Sequence, residues 1–354
     1  MVIDLVDYEK VANDAGEALG SGQPPPEDLF KHFEAQPIRG PEDDCPDFNV
    51  EDEKAEKTIS DMKSTLKDSF LSMKDRYESD KLYAGEPCGY TKLDEHLDGW
   101  ERQCSYLIGA RSGVGKSIVA LNLGLAFAKQ GLPVDFITIE MKKKKQALRA
   151  LIHWSRIPSH RIKQKTLRPE DWSAMTVAVD EMKDLPWYWD DRGTTTIDQI
   201  RKQVQLVKRK FEARGERLFA VVIDHILNIS GTKANEGKDR RQQVVYITQQ
   251  LKAIAKEEDV CMIALTQINR GTEGRSDRRP VISDLKESGS TEEDADAILL
   301  LYRADYYEKN KTKWDSTLEI DCAKVRDGEP GVAKFKTDFN RYRIDPIEFG
   351  EDGD

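Results

Sequence analysis

The stretch CSYLIGARSGVGKSIVALNLGLAFAKQG, residues 104–131, decides the fold. An apolar run reads as a buried strand, a glycine-rich turn follows, and an amphipathic helix closes at Gly131. Its centre, Ala110, Arg111, Ser112, Gly113, Val114, Gly115, Lys116 and Ser117, has the spacing of a phosphate-binding loop, with alanine at the first glycine position. Backbone N–H groups must wrap the phosphates at a helix N-terminus, which calls for residues without bulk at Cβ and lets the helix dipole meet the negative charge. Lys116 then adds a point charge for the β- and γ-phosphates, and the Ser117 hydroxyl is a ligand for Mg²⁺. ATP and Mg²⁺ are the expected cofactors.

Working outward, apolar runs of five to seven residues alternate with longer helical stretches, which is an α/β signature. Strands are expected near 104–109, 134–139, 187–190, 218–223, 260–266, 297–302, 317–325 and 332–338. The strand LFAVVIDH, 218–225, ends in Asp224, the expected second metal-side acid. PVDFITIEM places Glu140 at the end of the strand after the loop helix, where ligands of parallel sheets collect, and where it can deprotonate the attacking water. VCMIALTQ ends in Gln267, whose neutral amide can bond a phosphate or that water.

The 354 residues carry a formal charge of -10, and its distribution is uneven. Residues 1–53 hold 15 Asp/Glu against 3 Lys/Arg, and the remaining chain is near balance. With Gly-Ser-Gly-Gln-Pro-Pro-Pro at 20–26, this acidic segment is read as a disordered arm without a core of its own, a solvated tail or a contact for replication proteins. Residues 54–84 are expected to form an amphipathic helix, with Ile59, Met62, Leu66, Phe70 and Met73 on one stripe, and then a short linker from Tyr83 to Cys88. Residues 85–346 form the main domain and 347–354 an acidic tail. No run approaches the roughly 18 apolar residues of a membrane helix and the start is acidic, so a cytoplasmic protein is expected. Five scattered cysteines fit buried thiols in a reducing compartment. Trp187 and Trp189 are expected to pack on the sheet and Trp172 in the core, while Lys142 to Lys145 read as a solvated helix start.

Taken in order, GYTKLDEHLDGW (89–100), GARSGVGKS (109–117), IEM (139–141), EDW (170–172), WDD (189–191), VVIDHI (221–226), LKAIAKE (251–257), TQINR (266–270), DRRPVISDLKESGSTEEDADAILLLYR (277–303) and AKVRDGEPG (323–331) resemble the C-terminal ATPase domain of DnaB-type replicative helicases. The resemblance implies a RecA-like P-loop fold with a mostly parallel sheet flanked by helices. It further implies a homo-oligomeric ring, normally a hexamer, that couples ATP hydrolysis to 5′ to 3′ movement on single-stranded DNA.

Carried over, Lys116 and Ser117 bind nucleotide and Mg²⁺, Glu140 activates water, Asp224 holds the metal and Gln267 senses the γ-phosphate. Lys324 and Arg326, alternate residues of one strand, reach the nucleotide of the adjacent subunit. The DNA-facing element is expected between Asn269 and Ser290, with Arg270, Arg278, Arg279, Lys286, Glu287 and Gly289, and a second channel loop over 231–241. The family's helical N-terminal collar, which engages primase, is replaced by the acidic arm, so collar and primase binding are not carried over. Ser117 stands for the usual threonine, His225 for the usual aromatic and Lys286 for a common arginine. His225 is read as a strand-end residue near the site and not as a catalytic acid or base. Two other functions fit the same fold: a recombinase-like or helicase-loading ATPase, and an interaction protein that joins or inhibits another helicase ring through the arm.

Overall fold

The structure, a computed structural model, describes residues 61–79, 81–193, 195–230, 240–269, 275, 277–285, 294–307 and 317–347. The acidic arm, Arg270, Lys286, Glu287, Gly289, residues 348–354 and all but the last two residues of the 231–241 loop lie outside them. The described chain falls into two units, divided after Leu82.

In the first unit, helix α1 spans Met62–Glu78. Asp61 caps it, its carboxylate accepting from the Ser64 N–H at 2.8 Å, which satisfies one of the orphan donors of the first turn. None of its residues is buried, and Met62, Leu66, Met73 and Tyr77 are exposed.

In the second unit the elements run α2 (Thr91–Leu97), β1 (Ser105–Ala110), α3 (Lys116–Lys129), β2 (Val134–Thr138), α4 (Lys143–Ser155), α5 (Ser159–Lys163), α6 (Pro169–Met182), β3 (Trp187–Asp190), β4 (Thr195–Thr196), α7 (Ile197–Glu212), β5 (Ala220–Asp224), β6 (Ile229–Ser230), α8 (Arg240–Glu258), β7 (Cys261–Gln267), β8 (Ala297–Tyr302), α9 (Ala304–Tyr307), β9 (Thr317–Val325), β10 (Gly331–Asp338) and β11 (Arg343–Pro346). Nine strands form one sheet in the order β11-β10-β9-β8-β1-β7-β5-β2-β3. From β8 to β3 all neighbours are parallel, and β9, β10 and β11 add on antiparallel.

The central strands β1, β2 and β5 are buried along their whole length, as strands covered on both faces must be. One face packs Val119, Leu123 and Phe127 of α3 against Ile108, Phe136 and Val222. The other packs Ile200, Val204 and Phe211 of α7 and Ile247, Leu251 and Ile254 of α8 against Leu107, Ile223 and Met262. Trp187 and Trp189 lie on the sheet face against Phe136, at centroid distances of 5.6 and 5.1 Å.

Two expectations are corrected. Trp172 is not core: it is 58% exposed, because α6 turns Asp171 and Ala178 inward and Arg161 holds Asp171 at 2.9 Å. Residues 83–88 are not a free linker. Gly85 N–H donates to Asp98, Glu86 and Trp100 exchange two bonds at 2.9 Å, and Cys88 is buried with its N–H on the Asp94 carboxylate. A Cβ on Gly85 would meet the Trp100 backbone at 2.6 Å, so only glycine lets these segments close. Lys142 to Lys145 are exposed, as expected.

Candidate nucleotide site

The parallel order fixes the site. β1, β7, β5 and β2 are consecutive neighbours, so the segments leaving their C-terminal ends converge. The register sets Ala110 opposite Gln267 and Thr138 opposite Asp224. A pocket of about 300 Å³ opens there, and Ser112, Gly113, Gly115, Lys116, Ser117, Glu140, Asp224 and Gln267 are among the residues lining it.

Gly113 and Gly115 have φ of +85° and +130°, conformations that a residue with a Cβ holds only under strain. Gly115 is also crowded, since a Cβ there would lie 3.0 Å from the Phe339 ring, whereas one on Gly113 would make ordinary contact with Tyr306 at 3.4 Å. The Arg303 guanidinium stacks on Phe339 at 4.2 Å and donates to the Val114 carbonyl at 3.3 Å, bracing the loop from the β8 side. Ala110, Arg111 and Val114 do not line the pocket. Ala110 and Val114 are fully buried, and Arg111 donates to the Ile268 carbonyl at 3.0 Å, tying the loop to the end of β7.

Lys116 opens α3 and its Nζ donates to the Ala110 and Arg111 carbonyls at 2.8 and 3.4 Å. Burial pulls its ammonium down to about 8, against the raising effect of Asp224 and Glu140. Asp224 is 2% exposed. Burial raises its carboxyl, as does the Glu140 charge, while the Ser117 hydroxyl and the Lys116 charge favour the ionised form. Gln146, fully buried on α4, reaches Asp224 at 3.4 Å. Glu140 is more open, and its Oε2 lies 3.5 Å from His225 Nε2.

Thus a buried ammonium and a buried carboxylate stand near one another at the start of α3, each desolvated and each favoured by the other's charge. Among the described residues no group of three or more His, Cys, Asp or Glu could hold a metal ion. Mg²⁺ fits such a place, since it takes one or two protein oxygens and completes its shell with substrate phosphates and water.

Arg149, on α4, also lines the pocket and was not singled out in the sequence, because a lone arginine on a helix carries no local signal. Lys324 and Arg326 are far from it. Lys324 donates to the Ala295 carbonyl at 2.8 Å and Arg326 pairs with Asp296 at 3.1 Å, beside the N-terminal end of β1, where Ser105 N–H donates to the same Asp296. The expected DNA-facing segment is described only in part. There Arg279 donates two hydrogen bonds to the Glu319 carboxylate, 2.8 Å each, and lies over Tyr302, and Arg278 donates to the Tyr307 carbonyl at 2.9 Å.

The profile of the DnaB-like helicase C terminal domain matches residues 85–344. The replicative DNA helicase DnaB of Geobacillus stearothermophilus is 32% identical over 298 residues, covering 83% of this chain and 64% of that protein. The replicative DNA helicase DnaC of Bacillus subtilis is 33% identical over 314 residues, covering 85% and 67%. The chain spans about two thirds or less of the length of these relatives, down to 56% for the DnaB of Leifsonia xyli. Among solved structures, one described as the ATPase domain of G40P superposes with a TM-score of 0.75 at 30% identity, over 82% of this chain and all of that one. Another, of a DnaB-like replicative helicase and its interactions with primase, gives 0.73 at 28% identity over 96% of this chain and 76% of that one. The expected RecA-like arrangement is therefore present, and with a match that takes in the phosphate loop and the three strand ends facing it, the chain belongs to the DnaB-like helicase C-terminal domain family.

Proposed function

We propose that the protein is an ATP-driven motor of DNA replication, a ring-forming helicase or translocase that moves 5′ to 3′ on single-stranded DNA. The observation that carries the proposal is the convergence of Lys116, Ser117, Asp224, Glu140 and Gln267 on one pocket while Lys324 and Arg326 sit at the other end of the sheet.

Bound ATP with Mg²⁺ would supply a cleavable phosphoanhydride and the charge neutralisation for breaking it. Lys116 and the N–H groups at the start of α3 would hold the phosphates, and Ser117 and Asp224 the metal. Glu140 takes the proton of the attacking water, and Gln267, level with Ala110, orients it. Lys324 and Arg326 are proposed to complete the site of a neighbouring copy, where an arginine adds about 10³ to 10⁵ in rate. Contact with DNA phosphates is proposed for the side chains of Arg270 and Lys286 and for backbone N–H groups at Glu287 and Gly289, with Arg278 and Arg279 bracing the base of that segment. The acidic arm is proposed to meet replication proteins.

The test is ATP turnover with and without single-stranded DNA, followed by displacement of an annealed strand bearing a 5′ overhang. DNA-stimulated turnover and strand displacement, both lost in Lys116→Ala, are expected. DNA-stimulated turnover without displacement would move the assignment to a loader or recombinase-like ATPase, and a protein without turnover would move it to a ring-joining partner.

A further inference from the structure

Glu140 is the group asked to take a proton from water, yet its side chain is 63% exposed. Its backbone is pinned on both sides: Ile139 N–H donates to the Asp224 carbonyl at 2.9 Å, and the Thr138 hydroxyl donates to the Met141 carbonyl at 2.8 Å. Nothing comparable holds its carboxylate. Among the described residues its one ion pair or hydrogen bond is the contact of Oε2 with His225 Nε2 at 3.5 Å. A general base is more effective when a third group fixes its direction, and an exposed glutamate with three free torsions loses that direction readily.

His225 is suited to fix it. It follows Asp224 at the end of β5, its ring is only 14% exposed, and its carbonyl accepts from Asn228 N–H at 3.2 Å as the chain turns into the short helix Ile226–Asn228. The ring is thus enclosed where the Glu140 carboxylate is open. With its proton on Nε2, the neutral imidazole donates to Oε2 and leaves Oε1 to accept the proton of water. The distance is at the outer edge of hydrogen-bond reach, as catalytic contacts commonly are before substrate binds.

We propose that His225 is a positioning residue for Glu140, holding one carboxylate oxygen so that the other faces the attacking water. The inference rests on the nucleotide-site proposal above and deepens it.

The experiment measures DNA-stimulated ATP turnover and the affinity for a fluorescent ADP in the full-length protein with Mg²⁺. His225→Phe keeps the ring volume and removes the donor. It should lower kcat by about tenfold or more, a fraction of what a general base contributes, with KM and ADP affinity unchanged. His225→Gln places an amide N–H near the position of Nε2 and should recover most of the loss, whereas the shorter His225→Asn should not. In a Glu140→Gln background, His225→Phe should cause no additional loss, since residues that act as a unit are not additive.

Equal impairment of the Gln and Asn variants, unchanged kcat in the Phe variant, or loss of ADP affinity in step with kcat would each overturn the role. Should His225→Phe not fold, the Gln and Asn pair decides alone. Should Lys116→Ala and Glu140→Ala keep full turnover, the nucleotide-site proposal itself fails and takes this one with it. Loss in those two with none in the His225 variants overturns only the inference.

Discussion

Mixing two inactive variants tests where Arg326 acts. Lys116 bonds the carbonyl of Ala110, the last residue of β1, while Arg326 pairs with Asp296, which also accepts the N–H of Ser105, the first residue of β1. The two cations are therefore separated by the length of that strand, roughly 17 Å at about 3.3 Å per residue, a gap no arginine side chain covers. In Lys116→Ala the phosphates lose their buried charge, and in Arg326→Ala the shared site loses its finger, so each variant alone should turn over ATP at least about 10³-fold more slowly. In rings assembled from an equal mixture, a site is complete where an Arg326→Ala subunit, which keeps Lys116, adjoins a Lys116→Ala subunit, which keeps Arg326. Random assembly in a closed head-to-tail ring makes about one quarter of the sites complete. DNA-stimulated turnover of the co-assembled mixture should thus rise far above that of either variant, toward about a quarter of wild type if sites fire independently. A mixture no faster than its separate components would refute a site shared between subunits, because an arginine acting within its own chain leaves every subunit defective.

Three further outcomes are expected. Asp135 is fully buried with no close hydrogen bond to its carboxylate among the described residues, and burial together with the Asp190 charge outweighs Gln203, Arg192 and Lys210 and pushes it up from 3.8 to about 8. Between these values the folded chain binds more protons than the unfolded one, so its stability falls as pH rises through that window, by on the order of 5 kcal/mol in all. Asp135→Asn should therefore raise the urea midpoint at pH 8.5 and do little at pH 5, and a parallel pair of pH profiles would contradict this. Gly115→Ala forces a Cβ onto a residue at φ +130° and into the Phe339 ring, a strain of about 1 to 3 kcal/mol. Fluorescent ADP should bind more weakly, and undiminished affinity would mean the loop relaxes freely. Arg279→Ala removes a half-exposed pair with Glu319, so thermal stability should drop by about 1 kcal/mol or less with the salt dependence of single-strand binding unchanged. A slope shallower by about one unit would instead mark Arg279 as a phosphate contact.

How far the site could be read from the sequence depended on whether a residue's role was set by its neighbours along the chain. The strand 297–302 lies where its apolar run puts it, because burial on both faces writes itself as continuous apolar residues, and 317–325 was legible from alternation, since Leu318, Ile320 and Cys322 turn inward between half-buried neighbours. Asp224 and Gln267 close apolar runs and Glu140 follows the end of one, so their convergence needed only parallel order. β11 left no such trace, since in Arg343–Pro346 only Ile344 is buried. The face of α6 was equally hidden: its direction is set by the Arg161–Asp171 pair, and two charged residues ten positions apart do not announce which helix side turns inward. The integration of residues 83–88 depended on Gly85 meeting Trp100 across a fold, a contact between points that no local pattern links.

The placement of Lys324 and Arg326 joins fold to mechanism. Parallel strands deliver their C-terminal ends to one edge of a sheet, which is why β1, β7, β5 and β2 supply a phosphate loop, an amide and two acids to a single pocket. An antiparallel neighbour reverses that direction. β9 runs back along β8 with Val325 opposite Ala297 and Lys324 opposite Ile298, so its C-terminal cations emerge at the start of β8 and not at its end. A basic pair on any of the parallel strands' ends would serve its own nucleotide and leave turnover independent of assembly. At the end of β9 the same pair lies away from its own pocket, and under the proposal hydrolysis at full rate requires a neighbour whose pocket meets that end of the sheet. In the proposed ring, the antiparallel extension of a parallel sheet is what makes each site the property of two subunits, so that firing at one interface can be felt at the next.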